Sequence, residues 1–181
     1  VMLHACGPHI FHTDDEAVAD ARQRRLILIT MCVSLIAVIA SSSGLNVAQQ
    51  ALAADIGASQ GQLLWIINGY TLALAALLMP IGAIGDRWGR KPILIIGLVV
   101  FAAANLASAF VNSPEPLIAL RVVAGLAAAM IMPVTLSVIT TSFPAAERAK
   151  AIGTWAGVAG AGGIIGLVAS AAIIDNTTWP W

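Results

Sequence analysis

The chain has 181 residues, 59% of them hydrophobic and 10% charged, with nine basic and nine acidic side chains and a formal net charge of zero. Soluble domains average about 45–50% apolar and about 25% charged residues. A water-soluble fold is therefore excluded, a mean hydropathy of +0.90 points to an integral membrane protein, and the neutral balance leaves no basic footprint for nucleic acid.

Residues 1–25 are polar and read as an N-terminal tail. There "HACGPHIFH" brings His4, Cys6, His9 and His12 close together. Their spacing fits no firm metal-ligand pattern, so no metal site and no cofactor are expected. Cys6 lies in this tail and Cys32 in an apolar run, which argues against a disulfide framework. Five apolar runs follow, near 26–46, 63–83, 93–112, 117–142 and 151–174. Each reaches the ~20 residues that a helix needs to cross ~30 Å of hydrocarbon. Barrel strands would be alternating segments of about ten residues. The pattern predicts an all-α helix bundle in the membrane over 26–181.

Basic residues set the orientation. Arg22, Arg24 and Arg25 precede the first run, Arg87, Arg90 and Lys91 follow the second, and Arg148 and Lys150 follow the fourth. The alternate loops, 47–62 and 113–116, carry no Lys or Arg. The positive-inside rule then places the N-terminus and the 84–92 loop in the cytoplasm of a multi-pass cell-membrane protein. Pro92 suits the first turn of the third span, and "NSPEP" (Asn112 to Pro116) reads as a tight external turn. Trp65, Trp88, Trp179 and Trp181 stand near span ends, as interfacial aromatics do. Five spans leave the termini on opposite sides, and the end at "TTWPW" suggests a fragment.

"GAIGDRWGRKPIL" joins the second and third spans. Gly82, Gly85 and Gly89 allow close backbone approach. Asp86 stands near a helix C-terminus, where the dipole disfavours an anion, so it gains from a neighbouring Arg or another helix's N-terminus. Arg90 is four residues on, within reach if the loop is helical. A plain positive-inside loop explains Arg87, Arg90 and Lys91, but not Asp86 or the glycines.

In the fourth span, Arg121 interrupts "LIALRVVAGLAAAMIMP". It either snorkels to the outer interface or faces the bundle interior. Counting ~1.5 Å per residue puts Ser41 ~22 Å and Arg121 ~24 Å above the inner surface. The two are level, which favours an interior Arg121 beside Ser41, Ser42 and Ser43. In the fifth span, Gly153, Gly157, Gly160, Gly162, Gly163 and Gly166 read first as a small-residue packing face. Trp155, Asn68 and Tyr70 fit either a cavity wall or the packed interior.

These motifs carry a specific resemblance. Gly82-x-x-x-Asp86-Arg87-x-Gly89-Arg90-Lys91 resembles the loop between spans two and three of the major facilitator superfamily. "LNVA", "DIGASQGQLLWIINGY", "RVVAGLAAAMIMP", "FPAAERAKAIGTW", "GVAGAGGIIGLVAS" and "TWPW" follow in the order seen in its fourteen-span drug–proton antiporter branch. The resemblance covers about residues 26–181. It implies a partial N-terminal half of that fold, in a secondary active multidrug efflux antiporter that exchanges a small molecule for protons. It also implies that further C-terminal spans, or another chain, complete the transporter. Under it, Asp86 with Arg87 and Arg90 forms a conformational latch. Arg121 and Gly125 form the span-four motif of the pathway, and Gly157, Gly160, Gly162, Gly163 and Gly166 control leak and conformational change.

Three departures stand out. Ser41 occupies the place of the branch's span-one Asp, Gln50 that of its Pro, and Gly166-Leu167 that of its span-five Gly-Pro pair, followed by Ala169-Ser170 for Gly-Gly. The first bears on proton coupling, and the loss of the span-five Pro on the bend there. A non-transporting remnant or a membrane assembly partner is the alternative reading. An enzyme is not expected, because the spans hold neither His nor acid and no nucleophile paired with a base.

Overall fold

In the computed structural model the described residues are 20–176, and for 47–56, 86 and 174–176 the backbone alone is described. His4, Cys6, His9, His12 and the Trp-rich end lie outside the described residues. Five helices account for the rest: α1 (Ala21–Ile56), α2 (Gln60–Trp88), α3 (Arg90–Ser108), α4 (Pro114–Ser142) and α5 (Ala145–Asn176). All five are long and apolar enough to cross a membrane, and no strand occurs among the described residues.

Local chemistry sets where the helices begin and end. Asp20 accepts a hydrogen bond from the Arg22 backbone N–H at 2.9 Å, which caps α1. The expected tail of 1–25 therefore yields to helix at Ala21, and Arg22, Arg24 and Arg25 are helical. At its far end α1 continues to Ile56 and stops at Gly57 in the left-handed region, φ 62°, a conformation that favours glycine. The expected 47–62 loop is thus mostly helix, and its non-helical part is 57–59. Ser59 and Gln62 form a reciprocal capping box that starts α2.

Gly89 alone separates α2 from α3. It adopts φ 96° and donates its N–H to the Gly85 carbonyl at 3.1 Å. The expected loop of 84–92 contracts to this one residue, because a glycine tolerates the backbone that joins the two helices. Pro92 falls in the first turn of α3. The "NSPEP" turn is also shorter than expected: α4 begins at Pro114, since a missing proline N–H costs nothing in a first turn.

Packing puts α4 at the centre. Half of its span is buried, against 11–28% of the other four. A helix apolar all round belongs in such a position. The most extensive packing is α2 on α4, α1 on α5 and α3 on α4. Small residues make these approaches close. A Cβ on Gly97 of α3 would stand 2.9 Å from Met130 Cβ, and one on Gly166 of α5 would stand 2.6 Å from the Cα and carbonyl oxygen of Ala40 on α1. A Cβ on Gly125 of α4 would strike the Tyr70 carbonyl oxygen on α2. Outward, Met79, Leu106, Phe110, Val99, Ile164 and Val168 are exposed, as lipid-facing or partner-facing side chains are.

The helix starts of α1, α3 and α5 share one end of the bundle, with the basic residues other than Arg121. Arg24 Nη2 meets Glu147 Oε1 there at 3.5 Å, joining α1 to α5. At the opposite end Gln62 Nε2 donates to Glu115 Oε1 at 2.8 Å, joining α2 to α4.

Candidate functional site

Arg121 sits one turn into the buried part of α4, between Leu117 and Gly125. It is 7% exposed. Its Nε and Nη1 are closed off from water and have no hydrogen-bond partner. The side chain forms part of the wall of a cavity of about 310 Å³ in the half of the bundle remote from the basic end. Ser41 and Gly44 of α1, Asn105 and Ser108 of α3, and Gly166 and Ser170 of α5 share that wall. Arg121 and Ser41 thus meet on one cavity, at the common depth that residue counting assigns to them. Ser42 and Ser43 are not part of the wall: the Ser42 hydroxyl donates to the Ile39 carbonyl at 2.9 Å.

The neutral groups of the wall are already bonded. Ser41 Oγ donates to Asn105 Oδ1 at 2.7 Å, and Asn105 Nδ2 donates to the Phe101 carbonyl at 2.8 Å. Ser108 Oγ donates to the Ala104 carbonyl and Ser170 Oγ to the Gly44 carbonyl, both at 2.8 Å. Sequence reasoning did not single out Asn105. Its signal is an amide inside an apolar span, a placement that is costly and commonly functional.

Gly125 lies one turn beyond Arg121, where α2 and α4 touch backbone to side. Tyr70 is buried there, and its hydroxyl donates to the Val38 carbonyl of α1 at 3.3 Å. Trp155 is half-buried, with Nε1 donating to Thr135 Oγ1 at 3.3 Å. Both are packing residues of the interior. Asn68 is exposed and lines a shallow depression on α2 with Trp65 and Leu72.

The loop motif lies at the other end of α4. Gly82 and Gly85 pass Pro133 and Val134, with a Cβ at each position 3.8 and 3.5 Å from those side chains. Arg90 Nη1 donates to the Ser137 carbonyl at 3.1 Å and to Thr141 Oγ1 at 3.0 Å. It therefore fastens the start of α3 to the last turns of α4. Arg87 and Lys91 are exposed. The Asp86 side chain lies outside the described residues.

The span-five glycines divide in two. Gly162 and Gly166 pack on Ile36 and Ala40 of α1, and Gly163 faces Ser43 at 3.7 Å. Gly157 and Gly160, with Gly153, face open space, with nothing within 4 Å of an added Cβ. Sequence periodicity shows the stripe but not which part of it a neighbour covers.

The sequence pattern of the Major Facilitator Superfamily matches residues 30–181. The chain belongs to this superfamily. It is 37% identical over 155 residues to the methyl viologen resistance protein SmvA of Salmonella typhimurium, covering 85% of this chain and 31% of that protein. It is 37% identical over 155 residues to the multidrug efflux pump LfrA of Mycolicibacterium smegmatis, covering 85% and 30%. The puromycin resistance protein pur8 of Streptomyces alboniger is 31% identical over 155 residues, with 85% and 31% covered. The chain thus spans about a third of the length of these relatives.

Proposed function

We propose that this chain forms part of a proton-coupled exporter of drugs or other small amphipathic molecules. It sits in the cell membrane with its N-terminus in the cytoplasm, and further spans or another chain supply the second bundle. The observation that carries the reading is Arg121, a buried cation whose Nε and Nη1 have no hydrogen-bond partner, in the largely apolar wall of a cavity within a superfamily helix bundle. The resistance and efflux roles of the relatives support export, and the basic-residue bias supports the orientation.

In this reading two bundles rock around a site near the midplane. Arg90 holds α3 to α4, and Asp86 acts beside it as a latch that favours one access state. Arg87, Gly89 and Lys91 complete the loop. Gly162 and Gly166 let α5 bear closely on α1, which limits leak. Ser41 brings no titratable group, so the proton-carrying carboxylate lies elsewhere in the protein. The alternative, a non-transporting assembly partner, draws support from the open Gly153, Gly157 and Gly160 face.

The native gene product, expressed in an efflux-deficient bacterium, is expected to raise tolerance to methyl viologen or puromycin. A protonophore should abolish the gain. Unchanged tolerance with the protein present in the membrane would overturn export. A gain that survives the protonophore would overturn proton coupling alone.

A further inference from the structure

We propose that Asn68 and Thr71 on the exposed face of α2 form, with Trp65, a contact site for a ring compound that carries an uncharged hydrogen-bonding group. The three side chains recur every three residues, so they share one helix face. Asn68 and Thr71 are exposed, and neither makes a hydrogen bond with a described residue. From Gln60, the first residue of α2, a rise of ~1.5 Å per residue puts Asn68 ~12 Å and Thr71 ~16 Å along a span that crosses ~30 Å of hydrocarbon. An amide or hydroxyl at that depth is costly against lipid, because hydrocarbon offers it no partner. This face therefore turns toward water or a polar partner in the membrane.

Shape and chemistry narrow the partner. Leu64, Trp65, Asn68, Thr71, Leu72 and Ala75 line a shallow depression of about 440 Å³, within the ~300–1,000 Å³ range of ligand pockets. Trp65 is 57% exposed there and offers a flat apolar ring. The Asn68 amide both donates and accepts, as does the Thr71 hydroxyl, and neither carries charge. A planar ring beside uncharged donors and acceptors matches an aromatic molecule with an amide, hydroxyl or carbonyl group. A flat organic cation stacks on Trp65 but leaves the amide and hydroxyl unused.

This site rests on the export reading only for the role of its ligand as cargo. The test reads water access and binding without flux, so the two fail separately.

The reporter is Ala75→Cys, one turn beyond Thr71 in the same depression, in the native gene product with its other cysteines replaced. Membrane fragments are treated with a membrane-impermeant methanethiosulfonate, which modifies thiols in contact with water. Ala75→Cys should react, and Val99→Cys on the exposed apolar face of α3 should not. The ligand probe is chloramphenicol, an uncharged nitroaromatic with hydroxyl and amide groups. At ten times its dissociation constant it should slow modification of Ala75→Cys roughly tenfold. Asn68→Leu and Thr71→Val, each added to the reporter, should weaken chloramphenicol binding about 2–10-fold, the loss of one hydrogen bond. The rate without ligand should stay the same in both, which shows α2 undisturbed. An unreactive Ala75→Cys overturns the proposal, because a helix from beyond these spans, or lipid, then covers the face. Absence of chloramphenicol protection, or protection that neither variant weakens, also overturns it. Methyl viologen is the cationic control: protection by it that falls with Asn68→Leu overturns the uncharged class.

Discussion

Gly125→Ala probes the close contact of α4 with α2, one turn from Arg121. The added Cβ would strike the Tyr70 carbonyl oxygen and stand 3.1 Å from its carbon and 3.0 Å from Ala73 Cβ. The obstacle is mainly helix backbone, which cannot rotate away, so α2 must move off α4. Overpacking of this kind costs about 1–3 kcal/mol, and the helix preference of Ala over Gly returns about 0.8–1.0 kcal/mol. A clash with backbone falls in the upper part of that range, which leaves a net loss of about 1–2 kcal/mol. For a chain of this size the melting temperature should fall by about 2–8 °C. Gly160→Ala is the internal control. Nothing lies within 4 Å of its Cβ, so only the propensity gain remains, and melting should rise by up to about 4 °C. Thermal melts of the two purified variants in one detergent give the comparison. If Gly125→Ala melts at or above wild type while Gly160→Ala falls, the assignment of closed and open glycines is wrong.

Three further outcomes follow from the packing and the orientation of the bundle. With Cys6 and Cys32 replaced, a membrane-impermeant maleimide applied outside should label a cysteine at Gly57 and not one at Trp88, and the reverse pattern would invert the topology. Arg90→Ala removes charge-assisted bonds to Ser137 and Thr141, so the native gene product should lose about 1.5–3 kcal/mol of stability. Asp86→Asn should instead leave melting and expression intact while cutting transport, because a latch stabilises only one of two access states. Unchanged transport for Asp86→Asn would reduce the loop to a topological signal.

Much of this fold was legible because a membrane sets span lengths directly. Five apolar runs became five helices, and each error lay at a helix end. Sequence reading ended α1 at residue 46, where hydropathy falls, yet the helix continues to Gly57. Polar residues such as Gln49 and Gln50 do not break a helix, and a left-handed glycine does. The same bias made a loop of "GDRWGRK", although Gly89 alone can turn the chain. At the site, depth was legible and azimuth was not. Counting residues aligned Ser41 with Arg121, because rise per residue is nearly constant. It could not bring in Asn105 and Ser108 from α3 or Ser170 from α5, because rotation about each helix axis depends on tertiary packing.

The centrality of α4 ties these strands together. Its two ends carry the two functional motifs, Arg121 with Gly125 at one end and the Arg90 acceptors Ser137 and Thr141 at the other. Pro133 lies between them and removes one backbone donor from the helix interior. Gly82 and Gly85 of α2 pass at that level, so the α4 position that lacks a backbone donor faces two small residues of its neighbour. A small gap of about 60 Å³ remains between them, bordered by Arg90 and Ser137. Elsewhere α4 is held tightly, by Gly97 against Met130 and by Gly125 against Tyr70. A change in the hold of Arg90 would therefore have to pass Pro133 to reach Arg121 along α4. The two motifs share one helix, with Pro133 between them. Coupling between the loop and the cavity should be carried by α2, which touches both Gly125 and Pro133, and the packing of Tyr70 is where a loop mutation should first be felt.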